Sequence, residues 1–250
     1  MKTIAIVNQK GGIGKTTTAA ALTSGLILKG YKALCIDANA QRNLTQTMAA
    51  NTTGLTLKGI LLNECGITEA IQHTEQGDIV AGSKELANID LLLNTKDKYY
   101  RLKNALEPIE GKYDFCIVDT PPYTGTLFLN ALMAADTALI VAEADIYSIG
   151  AVEDITENIE DIQANFNKGL TVAGILLTRF TGRPTLSKQL KDAFTEPAKN
   201  LHTEVFNTCI REAIAIKEAH IMRQSIFAYD AKSNPAQDYK AFIDELLERI

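Results

Sequence analysis

The chain has 250 residues, 46% apolar and 22% charged, so it can bury a substantial core and is neither a disordered nor a fibrous chain. Its formal charge of −5 argues against a strongly basic nucleic-acid module but leaves room for a local basic patch. The cysteines Cys35, Cys65, Cys116 and Cys209 lack the spacing of a metal knuckle or redox pair, and no run of eighteen apolar residues could span a membrane.

These features lead us to expect one globular domain over residues 1–250, reduced and cytoplasmic. The short apolar run at the N-terminus meets a polar break at once, which reads as a first strand and not a signal peptide.

Residues 3–7 (TIAIV) are β-branched and run into glycines. Residues 16–29 have helical spacing, with Ala19, Leu22 and Leu26 on one side and Gly30 as a stop. Residues 33–37 (ALCID) read as a second strand. Further on, a Thr56-led helix is expected within residues 53–65. Short strands or strand edges are expected at 78–81 and 89–93, and a polar helix at 97–107.

Residues 113–118 (YDFCIV) form a buried strand ending at Asp119, followed by a helix at 126–134 and a strand at 137–142. The segment from Glu143 to Asp161 holds seven acidic residues and no basic one, so its helix, near 148–165, presents an acidic face. A strand at 171–178, a helix near 185–194, a strand at 203–206 and helices near 213–220 and 236–249 complete the chain. Apolar strands alternating with helices imply an α/β architecture: a mostly parallel sheet covered on both sides.

One segment carries chemistry. Lys10–Thr17 reads KGGIGKTT between the first strand and the first helix. Gly11, Gly12 and Gly14 let the backbone turn its N–H groups towards phosphate oxygens. The helix adds free N–H groups and the positive end of its dipole. Ile13 and Thr17 complete the loop, Lys15 can reach the β and γ phosphates, and Thr16 offers a hydroxyl to magnesium. The usual G-x-x-x-x-G-K-[ST] pattern is broken, because Gln9 stands at its first glycine and is followed by a second lysine, Lys10.

Lys10-Gly11-Gly12-Ile13-Gly14-Lys15-Thr16 resembles the deviant Walker A box of the ParA/MinD ATPases. The resemblance implies a three-layer P-loop NTPase fold, ATP and Mg²⁺ as ligands, and a homodimer that closes face to face in the ATP state. It also implies that Lys10 reaches the partner's phosphates. A point charge delivered to a developing phosphate charge only after pairing is sound chemistry.

Asp119 ends an apolar strand before Thr120-Pro121-Pro122, where a carboxylate can hold magnesium through water. The resemblance makes it the Walker B aspartate and Thr120–Gly125 the switch that senses the γ-phosphate. Asp37-Ala38-Asn39-Ala40-Gln41-Arg42-Asn43 resembles the family's Asp-x-Asp-Pro-Gln-Gly-Asn. Asp37, Gln41 and Asn43 match. Asn39 replaces the aspartate that relatives place near the attacking water, and an amide can neither accept that proton nor offer a charge. The expectation is a slow ATPase with a long-lived dimer.

Residues 174–191 (GILLTRFTGRPTLSKQLK) are similar to a partition-ATPase segment, matching at Gly174, Thr178 and Arg183. Residues 205–219 resemble the family's path from a strand into an adenine-side helix, with departures at Glu212 and Ala215. Residues 179–223 hold eight basic and five acidic residues, a locally basic region in an acidic chain. Arg183, Lys188, Lys191, Arg211 and Lys217 are the candidates for weak, sequence-independent contact with double-stranded DNA.

The resemblance therefore points to a DNA partition ATPase at the nucleoid, stimulated by a ParB-like adaptor. A nucleotide-gated scaffold with little hydrolysis is the alternative, favoured by Asn39. A MinD-like membrane role fits worse. The C-terminal helix carries Asp238, Asp244, Glu245 and Glu248 against Lys240 and Arg249, a poor polar face for anionic lipid.

Overall fold

The computed structural model describes residues 1–145, 147–181 and 191–250. Its strands are β1 (Lys2–Val7), β2 (Ala33–Asp37), β3 (Ile71–Thr74), β4 (Gly77–Val80), β5 (Phe115–Asp119), β6 (Thr137–Glu143), β7 (Thr171–Phe180) and β8 (Val205–Arg211). They form one sheet in the order β3-β4-β2-β5-β1-β6-β7-β8. All neighbours are parallel except β3 and β4.

The helices are α1 (Lys15–Leu28), α2 (Asn43–Thr47), α3 (Leu57–Leu61), α4 (Ile67–Ala70), α5 (Ile89–Leu92), α6 (Arg101–Leu106), α7 (Thr126–Ala134), α8 (Tyr147–Asn165), α9 (Thr195–Asn200), α10 (Ile214–Met222), α11 (Ile226–Tyr229) and α12 (Asn234–Leu247).

The central strands are apolar along most of their length, with polar residues at their ends, because each feeds two cores. Ala5 and Val7 of β1 join Leu34, Val118, Phe128 and Ile155 on one face. Ile4 and Ile6 join Leu22, Ile117, Phe242 and Leu246 on the other. Side chains alternate across a strand, so a sheet with helices on both sides needs apolar residues at odd and even positions alike. The result is a three-layer α/β sandwich.

The C-terminal helix packs as its apolar spacing demands. Tyr239, Phe242, Ile243 and Leu246 of α12 are buried, each contributing roughly 1.5–3 kcal/mol by leaving water. Tyr239 hydroxyl lies 3.1 Å from Thr18 Oγ1 on α1. Gly25 of α1 admits this contact, since a Cβ there would fall 2.2 Å from Ile243 Cδ1.

Two expectations need correction, and one strand is absent from the sequence pattern. Residues 89–93 are not a strand: α5 runs over Ile89–Leu92, with Leu91 and Leu92 exposed. Asp90 bonds to the backbone N–H and hydroxyl of Thr126 at the start of α7, so a tertiary contact decides the local conformation. The edge strand β3 (IQHT) carried too little apolar pattern to be read, and is made by hairpin pairing with β4. The strand expected at 203–206 instead spans Val205–Arg211. The helix expected near 185–194 falls mostly outside the described residues.

Candidate functional site

Parallel strands align their C-terminal ends, and here those ends converge on the loop between β1 and α1. Asp37 of β2 and Asp119 of β5 are register partners, as are Ile6 of β1 and Asp119. The phosphate loop thus stands beside two buried strand-end carboxylates. A cavity of about 650 Å³ opens there, lined by loop residues together with Asn39, Pro122, Thr178, Arg179, Lys217 and Tyr239. That volume suits a nucleotide-sized ligand.

Gly12 and Gly14 have φ of 77° and 97°, a left-handed region that costs a side-chain-bearing residue about 1–2 kcal/mol. Their conformation turns the chain from β1 into α1, which starts at Lys15 with Gly14 as its N-cap. Lys15 is buried and donates from Nζ to the carbonyl of Lys10 at 3.0 Å. Burial lowers its pKa, and the charge of Asp119 acts against that shift.

Thr16 donates its hydroxyl to Asp119 Oδ2 at 2.6 Å. The other oxygen, Oδ1, is buried with no hydrogen-bond partner. Burial and the neighbouring Asp37 push the Asp119 pKa up to about 7, against the pull of Thr16 and Lys15. An orphaned buried carboxylate oxygen beside a threonine hydroxyl fits a magnesium ion held through its water shell.

Asp37 is tied down structurally. Its Oδ2 accepts from Thr45 N–H at 2.8 Å and Thr45 Oγ1 at 2.7 Å, and its Oδ1 accepts from Asn39 N–H at 3.1 Å. Burial raises its pKa against these bonds. Asn39 lines the cavity and accepts from Gln41 N–H at 3.0 Å.

Lys10 points away from its own loop. Nζ bonds to Asp145 Oδ2 at 2.7 Å and Ser148 Oγ at 3.2 Å, and pairs with Glu143 Oε2 at 3.2 Å. The first of these contacts raises its pKa.

Of the basic candidates, Arg183 and Lys188 lie outside the described residues. Arg211 is held by Asp238 through both carboxylate oxygens at 2.6–3.1 Å, and Lys191 donates to the carbonyl of Asn207. Lys217 is exposed at the cavity rim.

Sequence reasoning missed the braces of the loop. Asn8 links the loop to β6 by donating to the carbonyl of Val141 at 2.7 Å and accepting from Lys10 N–H at 2.9 Å. Thr178 was marked by its motif but given no role. Its hydroxyl donates to the carbonyl of Ile13 at 2.6 Å. A polar residue closing an apolar strand was the available signal at both places.

The glycine loop, its lysine and the paired strand-end aspartates define a P-loop nucleoside-triphosphate-binding protein. A family model described as an AAA domain matches residues 1–172. The chain is 33% identical to chromosome partitioning protein ParA of Myxococcus xanthus, over 98% of this chain and 88% of that protein. It is 31% identical to the sporulation initiation inhibitor protein Soj of Bacillus subtilis, over 95% of each. Among solved structures, cobyrinic acid a,c-diamide synthase of Mycobacterium smegmatis with bound ATP analog and magnesium superposes with a TM-score of 0.86. That pair is 27% identical, over 99% of this chain and 95% of the other. The chain belongs to the ParA/MinD family of deviant Walker A P-loop ATPases and is close to the plasmid and chromosome partition ATPases.

No helix among the described residues is long and apolar enough to cross a membrane.

Proposed function

We propose that this protein is a DNA partition ATPase that pairs on binding Mg-ATP, holds DNA without sequence preference, and is released on hydrolysis. The observation that carries the reading is the placement of Lys10. Its backbone heads the phosphate loop, yet its ammonium bonds to Glu143 and Asp145 at and just beyond the end of β6, while Lys15 serves the loop itself. A lysine so placed suits delivery to a second copy's phosphates.

In this reading Gly11–Thr17 hold the triphosphate, Lys15 neutralises its β and γ oxygens, and Thr16 and Asp119 hold magnesium through water. The metal supplies charge neutralisation on the phosphate oxygens. Asp37 keeps the segment bearing Asn39 in place. Lys217 and the basic residues near it make the DNA contact, weak in one copy and doubled in two. The protein acts at the nucleoid in the cytoplasm, with a separate adaptor accelerating hydrolysis.

The test is binding to non-specific double-stranded DNA in ATP, ADP and no nucleotide, at low and moderate salt, with wild type and Lys10→Ala. ATP-specific, salt-sensitive binding that Lys10→Ala abolishes supports the reading. ATP-driven pairing with no DNA binding in any condition overturns it.

Asn39 favours a second reading, a nucleotide-gated regulator in which ATP drives assembly with little turnover. ATP binding without measurable phosphate release, even with DNA present, would select it.

A further inference from the structure

We propose that Glu143 and Asp145 form a resting cradle that holds Lys10 within its own protomer and thereby sets how much ATP is needed to pair two copies. This rests on reading Lys10 as a lysine that serves the partner's site.

The cradle is built, not incidental. An ammonium has three protons, and Nζ of Lys10 has three acceptors: Asp145 at 2.7 Å, Glu143 at 3.2 Å and Ser148 at 3.2 Å. Each carboxylate is itself anchored. Asp145 Oδ1 accepts from the backbone N–H of Ser148 at 2.8 Å, in the first turn of α8. Glu143 Oε1 lies 3.4 Å from Nη1 of Arg179, which follows Thr178 on β7. Each acceptor thus has a partner of its own besides the lysine.

The main chain of Lys10 is fixed independently. Its N–H is bonded to Asn8 Oδ1 at 2.9 Å and its carbonyl to Lys15 Nζ at 3.0 Å. Only the side chain is free to choose between the cradle and another anion. The contact is partly open to solvent, with the Lys10 side chain 33% exposed, so water screens it and keeps it weak enough to break. The two carboxylates act as an internal substitute for phosphate oxygens. A second copy carrying a triphosphate offers more negative charge and takes the lysine, whereas an empty copy leaves it docked. Releasing the lysine also leaves Asp145 bonded to α8 alone, which makes the start of that helix the first element to register pairing.

The test compares wild type, Glu143→Gln with Asp145→Asn, Glu143→Gln alone, and Lys10→Ala. Sedimentation follows pairing across a Mg-ATP titration. A fluorescent ATP analogue measures affinity below the pairing concentration. The double variant should pair at an ATP concentration lower by about three- to tenfold, with monomer affinity unchanged. Glu143→Gln alone should shift in the same direction by less. Glu143 does not cap α8, so this variant decides the matter if the double variant melts early. If Lys10→Ala blocks pairing while neither carboxylate variant lowers the ATP requirement, the cradle is wrong and the role of Lys10 stands. If Lys10→Ala pairs like wild type, the underlying reading of Lys10 is itself overturned.

Discussion

Thr178, near the end of β7, donates its hydroxyl to the carbonyl of Ile13 in the middle of the phosphate loop, at 2.6 Å. The loop is therefore braced from a strand two places away in the sheet, as well as by β1 that leads into it. The carbonyl of Ala142 is a second acceptor at 3.2 Å. Thr178→Val keeps the shape and removes the donor, leaving Ile13 with an unpaired buried carbonyl at a cost of about 1–3 kcal/mol. We expect nucleotide affinity to fall about tenfold with the protein still folded, and Thr178→Ser to restore most of it. Calorimetric titration of ATP into the three proteins checks this. Equal affinities would show that the brace is redundant.

Asp119 makes stability and ligand binding depend on pH in opposite directions. Its pKa is about 7 in the nucleotide-free fold, above its unfolded value, so the folded state holds the extra proton between about pH 4 and pH 7. Stability from this group is full below pH 4 and is lost as pH rises through about 7. Magnesium needs the ionised form, so Mg-ATP binding should strengthen over the same interval. Asp119→Asn should raise the melting temperature of the nucleotide-free protein near neutral pH and abolish the magnesium enhancement of ATP binding. Thermal melts and titrations from pH 5.5 to 8.5 test both signs together.

Asn39 lines the cavity while its amide oxygen holds Gln41 N–H. An aspartate would keep that acceptor and add a charge and a basic oxygen. Asn39→Asp should raise phosphate release at least about tenfold, below the roughly hundredfold or more that a well-positioned base contributes, with little change in ATP affinity. A steady-state phosphate assay decides. No gain in rate would mean that position 39 does not face the attacking water.

Arg211 at the end of β8 and Lys217 within α10 should behave differently. Arg211 is paired bidentately with Asp238 of α12, and this contact raises its pKa. Arg211→Ala should lower thermal stability by about 1 kcal/mol and leave DNA affinity near wild type. Lys217 is exposed, and Lys217→Ala should weaken DNA binding and flatten its salt dependence without affecting the melt. Filter binding at several salt concentrations, alongside melts, separates the two.

Much of the fold was legible because the central strands bury both faces. Such strands are apolar through their middles, as ALCID at 33–37 and TALIVAE at 137–143 are, and both form the strands their patterns imply. The segment at 89–93 was not legible, since a short apolar run has no periodicity to separate strand from helix. There the bond between Asp90 and Thr126 decides, from 36 residues away in the chain.

The sequence by itself determined the phosphate loop, because Gly12, Gly14, Lys15 and Thr16 act through local geometry and short reach. It likewise determined that Asp37 and Asp119 end buried strands. Tertiary structure alone decided which basic residues are spent on internal pairs and where the ammonium of Lys10 rests. The partners of Lys10, Asp145 and Ser148, lie 135 and 138 residues away. A side chain's partner across such a separation follows from the order in which strands enter the sheet, and no local pattern of residues encodes that order.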